Sequence, residues 1–336
     1  MNTTKINVVK LKQALSKMLN KKIKTADYRT EQLQDGTVGD VKLISGVVET
    51  TDGDKLPYKI VLKIQEKWER HGDPESWRRE YDLYRSGLDT VFTNALKWPE
   101  CYHAEITENE TQIWMEYIDG KSGSDLTVDM CEKAAEELGR FQGKLYSEQP
   151  EALKNITNLS IPDGMKNFYH HYRSWNVVYD YVRSKKCEFP KHIRKMITDM
   201  DEKSDLLWKN IETLPLVLCH RDFWITNIFY KKGKIYLIDW DTTGWGYLGE
   251  DITSLIADEA DPEIMPELYS KCVPAYIKGF SEHNDTSNIT SLCIYERIIM
   301  HYGYRLVEWY LHAESPKEKK LHLDTLQAIY EMNLYG

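Results

Sequence analysis

The residues best suited to chemistry stand in one octet, His220-Arg221-Asp222-Phe223-Trp224-Ile225-Thr226-Asn227. A further aspartate, Asp239, comes twelve residues after Asn227, at the end of the short apolar stretch 234–238. This spacing suits phosphoryl transfer. That reaction needs a carboxylate beside the acceptor hydroxyl, oxygen ligands for a hard cation, and neutralisation of charge on the transferring group. One loop carrying Asp222 and Asn227 can serve both the acceptor and the metal, and Asp239 on the next strand completes an oxygen-rich set suited to Mg²⁺. Such a string also arises by chance, so the elements around it must carry the rest of the reading.

Three strand-like runs, 28–34, 41–50 and 56–64, are separated by the turn-forming stretches 35–40 and 51–54, which predicts an antiparallel meander. Trp77, Tyr81 and Tyr84 recur at helical spacing, so residues 77–87 are expected to form a helix packed on that meander. Two more strands are expected at 101–105 and 112–117, giving five strands and one helix. From Thr127, an expected N-cap, the pattern turns helical, with Cys131, Ala135, Leu138 and Leu145 on one face. The runs 214–219 and 234–239 interrupt it and predict a small strand pair flanking the octet. Two long helices, 292–312 and 317–334, close the chain. The sequence thus predicts an α+β, bilobal architecture: a small β-rich lobe over residues 1–118 and a larger, mainly helical lobe over 119–336, joined by a crossing near 116–124.

At this point the octet resembles the catalytic-loop signature of the protein-kinase superfamily. Asp239 is followed by Trp240-Asp241 and no Ala-Pro-Glu segment, and the stretch 238–258 instead resembles the aminoglycoside phosphotransferase and choline kinase family. This family more often has Gly where Arg221 stands and His where Trp224 stands. The resemblance implies a protein-kinase-like fold, ATP and Mg²⁺ as cofactors, Asp222 as catalytic base, and Asn227 and Asp239 as metal ligands. It further implies that Lys63, late in the third strand, holds the α- and β-phosphates, steadied by Glu80. Lys59 has the same strand parity and competes with Lys63. Backbone groups of Glu116 and Ile118 would hold adenine, and the loop 35–40 would cover phosphate, although it lacks a G-x-G-x-x-G pattern.

Read singly, these residues have plainer roles. Lys63 alone is a solvated strand lysine, Glu80 a surface acid paired with Arg78 or Arg79, and the loop 35–40 a hairpin turn. His220 reads as a buried imidazole shaping the loop, and Asp251 as a helix N-cap or a support for that loop. The chain has ten Trp, of which Trp224, Trp240 and Trp245 lie beside the octet; most Trp pack cores. Trp224, two residues after the base, is expected to wall the acceptor. Glu296, Tyr302, Glu308 and Trp309 resemble the groups with which the family lines its substrate cleft, and acid with aromatic suits an amine.

Composition excludes several classes. A net charge of −9, from 53 acidic and 44 basic residues, disfavours nucleic acid and anionic membrane as partners. The six cysteines include no Cys-x-x-Cys pair, no apolar run is long enough to span a bilayer, and the lysine-bearing amphipathic opening is not a signal peptide. A cytoplasmic protein is expected. The expected partner is a small-molecule hydroxyl acceptor, aminoglycoside-like or choline-like. The alternatives are a kinase of an amino-acid alcohol, a sugar or a protein, and a nucleotide-binding pseudokinase with an assembly role.

Overall fold

The structure, a computed structural model, describes residues 6–33, 39–68, 70, 73–160, 175–258 and 260–333. It opens with helix α1 (Val8–Leu19), capped by the Asn7 side chain, which accepts from the amides of Val9 and Lys10. Strands β1 (Ile23–Ala26), β2 (Arg29–Gln32), β3 (Gly39–Thr50) and β4 (Lys55–Glu66) follow. Helix α2 (Ser76–Arg85) precedes β5 (Leu96–Lys97), β6 (Cys101–Ile106) and β7 (Glu110–Glu116). The principal sheet runs β1-β3-β4-β7-β6, with β2 also paired to β3, and is antiparallel throughout. The sheet is therefore larger than expected: β1 joins it, and α1 covers one of its faces.

Alternation along β4 decides what each face does. Ile60, Leu62 and Ile64 are buried with Trp114 against Leu11, Ala14 and Leu15 of α1. Val61 and Lys63 point the other way, and on that face Val61 packs with Ile113 and Met115 toward Tyr81 and Tyr84 of α2. Strand parity thus puts Lys63 on the face that looks toward the rest of the molecule.

The remainder is mainly helical. Helix α3 (Val128–Glu148) starts from the Thr127 cap, whose hydroxyl accepts from the Met130 amide. After it come α4 (Glu151–Lys154), α5 (Trp175–Arg183), α6 (Lys191–Glu202) and α7 (Ser204–Glu212). Four short strands follow: β8 (Leu216–Cys219), β9 (Ile228–Lys231), β10 (Lys234–Leu237) and β11 (Gly244–Tyr247). The two predicted apolar strands both exist but do not pair with each other. β8 pairs with β11, while β10 pairs with β9 and, in parallel, with β5.

Helices α8 (Glu250–Ala257) and α9 (Met265–Ser281) lead to the end of the chain. The expected helix 292–312 is divided into α10 (Ser291–Ile298), a π-helical turn over Ile299–Gly303, and α11 (Tyr304–His312). Helix α12 (Pro316–Met332) ends the described chain. No helix among the described residues is long and apolar enough to cross a membrane.

Candidate active site

The octet leaves β8 and returns into β9, so its ends are fixed by two different small sheets. Arg221 adopts φ 67°, a left-handed backbone costly for a residue with a Cβ, and it must be held there. The holder is Asp251, in the first turn of α8. Its carboxylate accepts from the His220 amide at 2.9 Å, the Arg221 amide at 2.7 Å and Gln142 Nε2 at 2.8 Å. Asp251 is therefore the loop's support, and Gly249 is the helix N-cap. The Arg221 side chain donates to the Trp245 carbonyl and the Ser160 hydroxyl, both at 2.6 Å, and is ion-paired with Glu250.

His220 is buried, and its ring packs edge-on against Trp240, with centroids 4.6 Å apart. Burial pulls its pKa down to about 4, so it is a neutral imidazole whose Nδ1 accepts from the Asp222 amide. Asp222 follows. Burial, then the nearby charges of Asp239 and Asp241, push its carboxyl up to about 7. Asn227 Nδ2 donates to the Asp222 carboxylate at 3.1 Å and to its carbonyl at 3.0 Å. That arrangement spends the amide nitrogen and leaves Asn227 Oδ1 for another partner.

Asp239 also has a left-handed backbone, φ 65°. Its Oδ1 lies 2.5 Å from Lys63 Nζ, and the same ammonium lies 2.5 Å from Glu80 Oε2. Residues 176 positions apart in sequence thus meet in one ion cluster. Burial opposes the charge on Lys63, but Asp239, Glu80 and Asp241 outweigh it and hold the ammonium firmly protonated. Burial likewise raises Asp239, and Lys63 outweighs it, so that carboxyl stays below its ordinary range. Lys59, the competitor, lies over the Tyr117 ring at 4.8 Å.

The oxygens of Asn227 and Asp239 fit a cation brought in with phosphates. The backbones of the two residues are tied together where the Ile238 amide donates to the Asn227 carbonyl. No cluster of three or more His, Cys, Asp or Glu able to hold a metal occurs among the described residues. A two-ligand protein set completed by phosphate oxygens and water is how Mg²⁺ is commonly held.

The other expected residues divide. The Glu116 amide is taken by the Glu100 carbonyl, while Ile118 is buried and makes no backbone hydrogen bond among the described residues. Trp224 is half-buried, and its indole N–H has no partner among the described residues. Tyr302 is 1% exposed. Its hydroxyl stands beside Ser254 and Asp258 without a well-formed hydrogen bond to either. Glu296 has turned elsewhere: its carboxylate accepts from Asn210 of α7 at 3.4 Å, and no described contact takes it to the octet. The loop 35–40 lies outside the described residues except for Gly39 and Asp40, which belong to β3.

Three site residues were not picked out from sequence. Asp241, two residues beyond Asp239 in the turn after β10, is buried; it accepts from Gln65 Nε2 at 3.2 Å, with Arg70 3.7 Å away. Arg79 does not pair with Glu80. It is 1% exposed and donates to the Asp241 carbonyl at 2.6 Å, the Asn158 carbonyl at 2.7 Å and the Asp73 carboxylate, tying α2 to the strand end that carries Asp239. Asp258 follows α8, and its charge reaches both Asp222 and Tyr302. The missed signal was spacing: Asp258 is seven residues, about two helical turns, beyond Asp251 and so on the same face.

A family model described as the phosphotransferase enzyme family matches residues 48–280. Human ethanolamine kinase 1 is 34% identical over 77 residues, a stretch covering 20% of this chain and 17% of that protein. Among solved structures, aminoglycoside 2'-phosphotransferase-IIIa in its GDP complex superposes with a TM-score of 0.57 at 12% identity, covering 98% of this chain and 100% of that one. Choline kinase from Cryptosporidium parvum Iowa II gives 0.53 at 17% identity, covering 91% and 89%. These likenesses establish a protein-kinase-like fold: an antiparallel sheet followed by a mainly helical part.

Proposed function

The chain belongs to the phosphotransferase enzyme family, and on that premise we propose that it moves the γ-phosphoryl group of ATP to a hydroxyl of a small molecule. It is a small-molecule phosphotransferase; the choice of ATP, of Mg²⁺ and of acceptor is what we add. One observation carries the reading: Lys63, Glu80 and Asp239 meet in one ion cluster, and the charge of Asp239 acts on the Asp222 carboxyl.

Lys63 would neutralise the α- and β-phosphates, with Glu80 fixing its ammonium. Asn227 Oδ1 and Asp239 would hold Mg²⁺, which when bound supplies charge neutralisation on the β- and γ-phosphates. Asp222 orients the acceptor hydroxyl and takes its proton. Adenine would bind against the backbone of Glu116 and Ile118, beside Val61 and Met115.

A protein-kinase reading is less well supported. The interval between Asp239 and Asp251 holds β11 and its turns, which leaves no room for a long activation segment. Thr243 is fully buried, and the Thr242 hydroxyl donates to the His220 carbonyl at 2.8 Å. The test is ADP production over a panel of aminoglycosides, amino alcohols, hydroxy amino acids and sugars. Acceptor-dependent ADP release that disappears in Asp222→Asn is expected; ADP release indifferent to every acceptor would refute it.

A further inference from the structure

Arg221 turns into the octet through a left-handed backbone, φ 67°, and the next residue is Asp222, the proposed base. Such a turn keeps its direction only while its anchors hold. One anchor of the side chain comes from far off in sequence: Arg221 Nη1 donates to the hydroxyl of Ser160, 61 positions earlier, at 2.6 Å. That hydroxyl is engaged on both sides, since it also lies 3.3 Å from the Thr243 carbonyl and 3.4 Å from that of Thr242, to which it donates. The fit around it is close. The Ser160 amide donates to the Thr243 carbonyl at 3.4 Å and its carbonyl accepts from the Trp245 amide at 3.1 Å, which lays the residue beside Gly244. A Cβ on Gly244 would collide with the Ser160 hydroxyl, and one on Gly246 with the Glu250 carboxylate, whose Oε1 lies 3.0 Å from Arg221 Nε. The two glycines of β11 therefore make room for two partners of one guanidinium, and the Trp245 carbonyl between them is a third, at 2.6 Å.

A residue can position another only if it is itself fixed. Two residues before Ser160, the Asn158 carbonyl accepts from Arg79 Nε at 2.7 Å and its side-chain amide donates to Asp82 at 2.9 Å. The stretch 158–160 is thus fastened to α2, which carries Glu80, at one end and to the octet at the other. We infer that Ser160 is a positioning residue for phosphoryl transfer: acting through the Arg221 side chain, it fixes the backbone turn that aims Asp222. A hydroxyl is what the place requires, because it must accept from a guanidinium and donate to a carbonyl at once. A glycine at 221 would take the same backbone turn without strain but would offer Ser160 nothing to hold. The inference rests on the kinase reading above and adds a residue to its machinery.

Coupled ADP production with ethanolamine, choline, L-homoserine and kanamycin as acceptors tests it, each variant being read on the acceptor that wild type turns over best. Ser160→Ala removes a single oxygen and should lower kcat roughly 10- to 100-fold, the range for a lost charge-assisted bond that lets Asp222 shift. The KM for ATP should stay within about twofold, because Lys63 and Glu80 keep their contacts. Arg221→Gly should lose at least as much in kcat. The decisive comparison is the double variant: if Ser160 acts through Arg221, adding Ser160→Ala to Arg221→Gly changes kcat by less than about twofold. Wild-type kcat in Ser160→Ala, losses that multiply in the double variant, or a KM for ATP that rises as far as kcat falls overturns the inference while leaving the kinase reading intact. ADP production stimulated by none of the acceptors refutes that reading, and this inference falls with it.

Discussion

Replacing Asp251 tests whether Asp222, the proposed base, is positioned from beneath. The carboxylate is 1% exposed and accepts from the His220 amide, the Arg221 amide and Gln142 Nε2. Asp251→Ala leaves these donors buried and unpaired at about 1–3 kcal/mol each, so their sum is roughly 3–9 kcal/mol. Relaxation and water entry reduce that to about 3–5 kcal/mol, the range seen when one partner is removed from a buried charged network. Asp251→Asn keeps the volume but turns an N–H toward a backbone N–H, and about 2 kcal/mol is expected. Both should lower the urea midpoint with little change in slope. In folded Asp251→Asn the Arg221 backbone is no longer pinned at φ 67°. A shift of about 1 Å at Asp222 costs about 100-fold in kcat, while ATP affinity, which the proposed function assigns to Lys63 and Glu80, is expected to stay within about threefold. Asp251→Ala within 1 kcal/mol of wild type, or full turnover in Asp251→Asn, would refute the reasoning.

Further outcomes follow from the same geometry. Asp222→Asn should lower kcat by about 10²- to 10⁴-fold with nucleotide affinity kept. Burial raises the Asp222 carboxyl from its ordinary 3.8 to about 7, so ionising it costs folded-state stability as pH rises through about 7. Nucleotide-free Asp222→Asn should therefore melt above wild type at pH 8, with the difference closing toward pH 4; no gap at pH 8 counts against that buried charge. Asp239→Ala should weaken Mg·ATP far more than metal-free ATP in calorimetric titration, and equal losses would remove Asp239 from the metal. Phosphatase treatment should leave turnover unchanged, since Thr243 is buried and Thr242 bonds the loop; recovery of an inactive dephosphorylated enzyme on rephosphorylation would restore the protein-kinase reading. Because Thr242 supports the His220 carbonyl, Thr242→Ala with Thr243→Ala is not a neutral substitute for that treatment.

What could be read from sequence and what could not divides along a physical line. Asp222, Asn227 and Asp239 sit on one loop and the end of the next short strand, so their separation in sequence translates directly into separation in space. The family resemblance chose Lys63 over Lys59, which has the same strand parity, and named Glu80 on the next element as its partner. Pairing was a different matter. Alternation reports which face of a strand is buried, not which strand lies beside it, so 214–219 and 234–239 looked like partners although β8 takes β11 and β10 takes β9 and β5. The 1% exposed Arg79 was hidden because a charged residue next to Glu80 is ordinarily solvated; only the packing of α2 on the Asp241 strand end explains it.

The acceptor side failed for a more specific reason. The single helix expected over 292–312 is interrupted by the π turn over Ile299–Gly303, whose extra residue rotates everything after it by about 100°. Glu296, before that turn, meets Asn210, while Tyr302, within it, stands beside Asp258. The family resemblance, not periodicity, groups Glu296 with Tyr302, Glu308 and Trp309; the structure takes Glu296 to Asn210 and lays Arg305 over the Trp309 ring. The proposed catalytic residues are legible because a local turn sets them. Specificity residues, carried on helices whose phase depends on a single inserted residue, are legible only once that phase is known.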